Sequence, residues 1–170
     1  MALLTILHAP DRRLKQKSLP IQNVDDDIRR LMDDMLETMY KAPGIGLAAP
    51  QVGVLRRVIV VDVTWSKEKE EKNPLYLANP EIVAREGEIT WEEGCLSVPD
   101  NLAEVVRSEK ITVQGLDRQG QAVTIQAEGL LAVCLQHEID HLDGILFIDH
   151  LSRLKRDMIL KKLRRAQEES

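Results

Sequence analysis

His137, Glu138 and His141 stand in H-E-x-x-H spacing just after an apolar run, residues 129–135. On an α-helix, residues four apart share a face with Cβ atoms roughly 5–6 Å apart, so both imidazoles can reach one metal ion. Each residue turns the helix by about 100°, which sets Glu138 on the flank of that face. A carboxylate there can hydrogen-bond a metal-bound water without displacing it, the arrangement of metal-assisted hydrolysis. The competing reading is an amphipathic helix with two polar-edge histidines. The apolar context favours the metal, because buried polar groups are costly without partners. A hydrolytic site needs a third protein ligand and an open position for water.

The helix does not supply that third ligand. In the longer signature H-E-x-x-H-x-x-G-x-x-H it would fall on Phe147, which cannot ligate. Cys134 lies seven residues before His141, about 10 Å along the helix, too far to share one ion with both histidines. It reads as a small apolar packing residue. Asp140 and Asp143 read as groups that support the ligands from behind or cap the helix. His150 lies beyond the Gly144 helix stop and would have to fold back. Cys95 remains, in E-G-C-L-S at 93–97, where Gly94 lets the backbone bend. A thiolate is a strong transition-metal ligand; the alternative is an ordinary buried cysteine. A third stretch, residues 43–53, holds three glycines and two prolines. That composition excludes a regular helix and permits close approach to the backbone. No Lys-Ser/Thr follows and a strand comes next, so it is not a phosphate-binding loop. Its Gln51 is either a loop amide bonded to its own backbone or a donor to a substrate oxygen.

These groups need a frame. The chain has 170 residues, 44% hydrophobic and 30% charged, which suits one domain with a real core. A net charge of −5 makes no case for DNA or other nucleic acid across the whole chain. The first eight residues lack a basic start and are too short an apolar run for a signal peptide, and no stretch approaches transmembrane length. With only two cysteines, a reduced, cytoplasmic protein away from membranes is expected. Asp25 can cap a helix running to about Tyr40, with Ile28, Leu31, Met32, Met35, Leu36 and Met39 on one buried stripe. Strand patterns follow at 57–63, 75–84, 86–91, 105–106, 110–117 and 121–127, with residues 93–99 interrupting them and 145–148 forming a last short strand. Residues 66–74 read as a charged, solvated loop. Residues 129–144 read as a helix buried on most sides and stopped by Gly144. Residues 152–170 are helical in pattern, with seven Lys/Arg against three Asp/Glu. The fold class is α+β: mostly antiparallel strands packed around the central H-E-x-x-H helix, with an N-terminal amphipathic helix and a C-terminal helix. Residues 1–151 form a single catalytic domain and 152–170 a basic helical tail.

With G-I-G-L-A-A-P-Q at 44–51, E-G-C-L-S at 93–97 and Q-H-E-I-D-H at 136–141, in that order, the chain resembles the peptide deformylases. The likeness runs from end to end and is to the compact bacterial form that closes with a C-terminal helix. It implies removal of the formyl group from N-formylmethionine on nascent peptides. It implies Cys95, His137 and His141 as metal ligands, Glu138 as general base and then acid, and an oxyanion hole from the Leu96 N–H and the Gln51 amide. It further implies a methionine pocket drawing on Leu130, Val133 and Cys134, and a β-strand-like hold on the substrate backbone by Ile45 and Gly46. Iron(II) is the metal implied, with nickel, cobalt or zinc as substitutes. The tail is either a ribosome-docking helix or a solvated one. Leu102 stands where some relatives carry an arginine, and Arg107 has no role assigned by the motifs. A metallopeptidase cleaving internal amides shares the helix chemistry, but the cysteine ligand and its E-G-C-L-S setting argue against it. A non-catalytic metal module would leave Glu138 without work.

Overall fold

The computed structural model describes residues 2–66, 68 and 71–169. Asp25 starts the first long element: its side chain accepts a hydrogen bond from the Ile28 N–H at 2.9 Å and caps α1 (Asp26–Lys41). Met32, Met35 and Met39 step along one face and are fully buried, so the methionines fill core. The strands are β1 (Gly46–Ala48), β2 (Val58–Val61), β3 (Leu75–Glu86), β4 (Ile89–Cys95), β5 (Val98–Arg107), β6 (Lys110–Leu116) and β7 (Ala122–Glu128). Two helices complete the order, α2 (Gly129–Leu142) and α3 (Arg153–Glu169). One antiparallel sheet runs β1-β2-β3-β6-β7, and β4 pairs with β5 as a separate hairpin.

The sheet is the wall between two cores. Successive residues of β2 point to opposite faces. Val58 and Val60 join α1 in one cluster, while Ile59 and Val61 join α2 in the other. Both faces are covered, which is why the strand reads as an unbroken apolar run. Ala132, Leu135, Ile139 and Leu142 seat α2 on the sheet beside Leu77, Ile111 and Val113. A third cluster joins Leu14, Val98, Val105, Phe147, Ile148 and Leu163 beneath the hairpin and α3. The helix stop at Gly144 is tight: φ is +74°, and a Cβ there would lie 2.4 Å from the Lys15 carbonyl oxygen.

The fold class is the expected α+β, with three local corrections. Residues 145–148 are no strand; Phe147–His150 form a single 3₁₀ turn. Leu146, Phe147 and Ile148 are buried from that irregular segment, so the apolar run reflects burial without a strand partner. Residues 93–99 do not interrupt the strands either. β4 continues to Cys95 and β5 opens at Val98, with Leu96 and Ser97 turning the chain and a register shift between Glu93 and Cys95. β5 therefore spans ten residues where a strand was expected only at 105–106. Lastly, the glycine-rich stretch contributes β1 at the sheet edge. Lys67, Lys69 and Glu70 of the charged loop lie outside the described residues. Among the described residues no helix is long and apolar enough to cross a membrane.

Candidate active site

Helix α2 delivers both histidines and the glutamate from a buried face. His137 is 8% exposed, Glu138 4% and His141 fully enclosed. The β4–β5 turn brings Cys95 to the same point. Its Sγ stands 3.4 Å from His141 Nε2, which is 3.2 Å from His137 Nε2, and all three donor atoms lie within 4.8 Å of one another. Tetrahedral donors at ~2.0–2.3 Å from one ion stand roughly 3.3–3.8 Å apart, so this sulfur–nitrogen–nitrogen set fits a single ion. His150 is not part of it, and Cys134 is not either.

The electrostatics also call for a cation. Burial would strip the proton from His137, yet the neighbouring Glu138, Cys95 and Glu93 outweigh it and hold the imidazole well above its ordinary pKa. Burial and the His137 charge push His141 the other way, to the neutral form. A metal ion at the triad would take over the positive charge that the His137 proton carries. His137 Nδ1 donates to Glu93 Oε1 at 2.9 Å, which turns Nε2 toward the other donors. Arg107 grips the same carboxylate, Nε to Oε2 at 2.7 Å and Nη2 to Oε1 at 2.8 Å. Burial alone would raise the Glu93 carboxyl; the hydrogen bonds from Arg107 and His137 outweigh it and hold it at about 2.

Glu138 has a different environment. Its Oε1 is buried with no hydrogen-bond partner among the described residues. Burial, the largest influence, pushes its carboxyl up to about 7 against the opposing charge of His137. The side chain runs beside the β1 backbone, where Gly46 leaves it space: a Cβ there would lie 2.3 Å from Glu138 Oε2 and 2.9 Å from Cys134 Sγ.

Gln51 spans the gap between two loops. The Ala48 N–H donates to its Oε1 at 2.9 Å, so the backbone-bonded reading holds for the oxygen. Its Nε2 donates to Ser97 Oγ at 3.1 Å and reaches Cys95 Sγ at 3.5 Å. The N-terminal segment ties the same two loops together, through Leu7 N–H to the Gln51 carbonyl and Ala9 N–H to the Ser97 carbonyl.

A cleft of about 900 Å³ opens over this floor. Ile45, Gly46, Gln51, Cys95, Leu96, Leu130, Val133, Cys134, His137 and Glu138 all line it. Of the residues expected to bind metal, catalyse or hold substrate, His141 is the one not in that lining. Sequence patterns missed Glu93, Ser97 and Arg107. The one available signal was Glu93 itself, which sits beside the cysteine in E-G-C-L-S but looks like any solvated strand carboxylate.

The polypeptide deformylase family model matches residues 3–157. The peptide deformylase of Rhizobium meliloti (strain 1021) is 56% identical over 167 residues, spanning 98% of this chain and 95% of that protein. The crystal structure of peptide deformylase from Ehrlichia chaffeensis matches with a TM-score of 0.91 at 41% identity, covering 98% of this chain and 97% of that one. That of a peptide deformylase from Legionella pneumophila gives 0.89 at 48% identity over 99% of each chain. The agreement extends from the N-terminal segment through the donor triad to α3. A whole-chain match of this kind, on a frame that gathers Cys95, His137 and His141, means that the chain belongs to the peptide deformylase family, metal-dependent hydrolases that remove the N-formyl group from nascent polypeptides.

Proposed function

We propose that Glu138 is the general base and acid of deformylation in this chain, and that the cleft holds an N-formylmethionyl peptide. The observation that carries this is the Glu138 carboxyl, buried on the cleft floor next in sequence to the ligand His137, with no hydrogen-bond partner for its Oε1 among the described residues. Held by Cys95, His137 and His141, a divalent ion (iron(II) in our reading, with nickel, cobalt or zinc as substitutes) would acidify water and polarise the formyl oxygen. Glu138 takes the proton of the attacking water and hands it to the amine nitrogen as the C–N bond breaks. A carboxyl balanced near neutrality suits both transfers. Gln51 Nε2 and the Leu96 N–H hold the formyl oxygen as charge builds on it. The Gln51 amide is well fixed for this, because its oxygen is already tied to Ala48.

The methionine side chain enters the apolar wall of Leu130, Val133 and Cys134. Burial keeps the Cys134 thiol protonated, so it serves there as an apolar surface. Ile45 and Gly46 pair with the peptide backbone, which is supported by the place of β1 at the sheet edge. Residues 1–151 act as the catalytic domain, in the cytoplasm where formylated chains are made.

The test is formate release from formyl-Met-Ala-Ser under anaerobic conditions with added iron, nickel or zinc. Release from the formylated peptide alone, lost on chelation, is the expected outcome. Cleavage of an internal bond in the unformylated peptide would replace this reading with a metallopeptidase one.

The basic tail docks on the ribosome in the same reading. Lys161, Lys162, Arg164 and Arg165 are exposed on α3 while Leu163 between them is buried. Changing the four to glutamate therefore leaves the packing in place. That variant is expected to lose salt-sensitive co-sedimentation with ribosomes and keep its turnover of free peptide. Equal co-sedimentation by both proteins would remove the docking role.

A further inference from the structure

Behind the triad, a line of charged side chains runs from the metal ligand His137 to the surface. Glu93 and Arg107 are 5% and 6% exposed. Arg107 fixes Glu93 with two nitrogens and turns its third, Nη1, to Asp140 Oδ2 at 2.6 Å. The same Oδ2 accepts from His150 Nε2 at 2.8 Å. The sequence of groups is therefore histidine, carboxylate, guanidinium, carboxylate, histidine. The inner histidine is a ligand and the outer one is 37% exposed at its side chain.

We propose that His150 is a positioning residue for His137, acting through Asp140, Arg107 and Glu93. This rests on the reading that Cys95, His137 and His141 hold a metal ion. Each bond in the line restricts the next. Glu93 cannot turn without Arg107, because both its oxygens are engaged by it. Asp140 holds Arg107 Nη1 against α2, and His150 Nε2 stands 3.3 Å from the same nitrogen. Asp140 stands at the solvent edge, and His150 is the group that closes it from outside. A buried guanidinium shared by two carboxylates leaves one negative charge over, so the outermost carboxylate is the one most free to swing toward water. A donor on its outer side holds it on Arg107.

The turn that carries His150 reaches His137 a second way. Phe147 stacks on the His137 ring, with centroids 6.1 Å apart and planes at 26°. Phe147 and Ile148 share a cluster with Leu163 of α3. One turn thus presses on the ligand's ring face and braces the hydrogen bond that sets its tautomer. None of the three recognition motifs contains His150.

The test uses cobalt(II) as the probe. His150→Phe keeps a ring and removes the donor; His150→Gln keeps an N–H donor. We expect His150→Phe to release cobalt(II) about 10-fold faster to a chelator, the low end for partners of ligating histidines. Its visible cobalt–thiolate bands shift, and kcat falls with little change in KM. His150→Gln restores release rate and spectrum. Unchanged release and bands in His150→Phe overturn the proposal, as does a His150→Gln variant no better than His150→Phe. Cys95→Ser, measured alongside, separates the premise: if it also leaves cobalt(II) release unchanged, the metal-site reading falls and takes this role with it.

Discussion

Glu138→Gln is expected to keep its metal and to lose turnover of a formyl peptide by about 10³- to 10⁴-fold, the upper part of the range for general acid–base catalysis. The amide has the size of the carboxyl, so the space that Gly46 leaves is still filled and Cys134 still packs beside it. In the proposed role, what disappears is the proton acceptor in the first transfer and the donor in the second. Metal content separates this from loss of the triad, because Glu138 contributes no atom to the Cys95–His137–His141 set. Stability adds a second signature. The wild-type carboxyl is buried with Oε1 unpartnered, which is costly whenever it ionises. A neutral amide removes the ionised state, so the urea midpoint is expected to stay or rise. Destabilisation joined to loss of activity would point to a structural carboxylate. Retained activity in a metal-loaded Glu138→Gln would exclude Glu138 as the base.

Which parts of this arrangement were legible in the sequence follows from where each contact lies along the chain. The α1 stripe was legible because Met32, Met35 and Met39 repeat at helix spacing, and β2 because four apolar residues are buried on both faces. The H-E-x-x-H pair was legible because both histidines sit on one helix. Cys95 was reached by elimination and by the resemblance of its E-G-C-L-S setting, since it lies 46 residues from His141 in a different element. The hairpin around it was harder. Glu93 shares its strand face with Trp91, which is exposed, so alternation gives no hint of burial, and a buried carboxylate carries the same letter as a solvated one. Its burial depends on Arg107, 14 residues on in the partner strand. Neither residue signals burial until the other is in place. The 3₁₀ turn failed for the opposite reason. Leu146, Phe147 and Ile148 look like a strand because they are apolar, but their neighbours are α3 and the hairpin, and they pair with no ladder. Gly46 was legible as flexible backbone; its use, making room for Glu138, was visible only once β1 lay beside α2.

Arg107→Met tests the least legible part, and its effect on folding is expected to be the largest. A methionine fills most of the volume but leaves Glu93 and Asp140 with no cation between them. Breaking a buried ion pair by removing one partner costs about 3–5 kcal/mol, because the remaining charge stays out of water. Glu93 is held at about 2 largely by Arg107, so without it the carboxyl rises toward the protonated form. The sign matters for pH. A carboxyl whose folded pKa is depressed adds stability above its unfolded pKa and loses it as pH falls through the folded one. The wild type therefore draws stability from Glu93 at neutral pH that Arg107→Met lacks, and the two proteins converge in acid. Urea titrations at pH 7 and near pH 3 measure this directly. Adding Glu93→Gln to Arg107→Met is expected to recover part of the loss at pH 7, since the stranded charge is gone. It does not restore metal retention to the same degree, because His137 Nδ1 then has a weaker acceptor to fix its tautomer. A loss below about 1 kcal/mol at pH 7 would mean that water reaches the Glu93 carboxylate and that Arg107 is not what secures it.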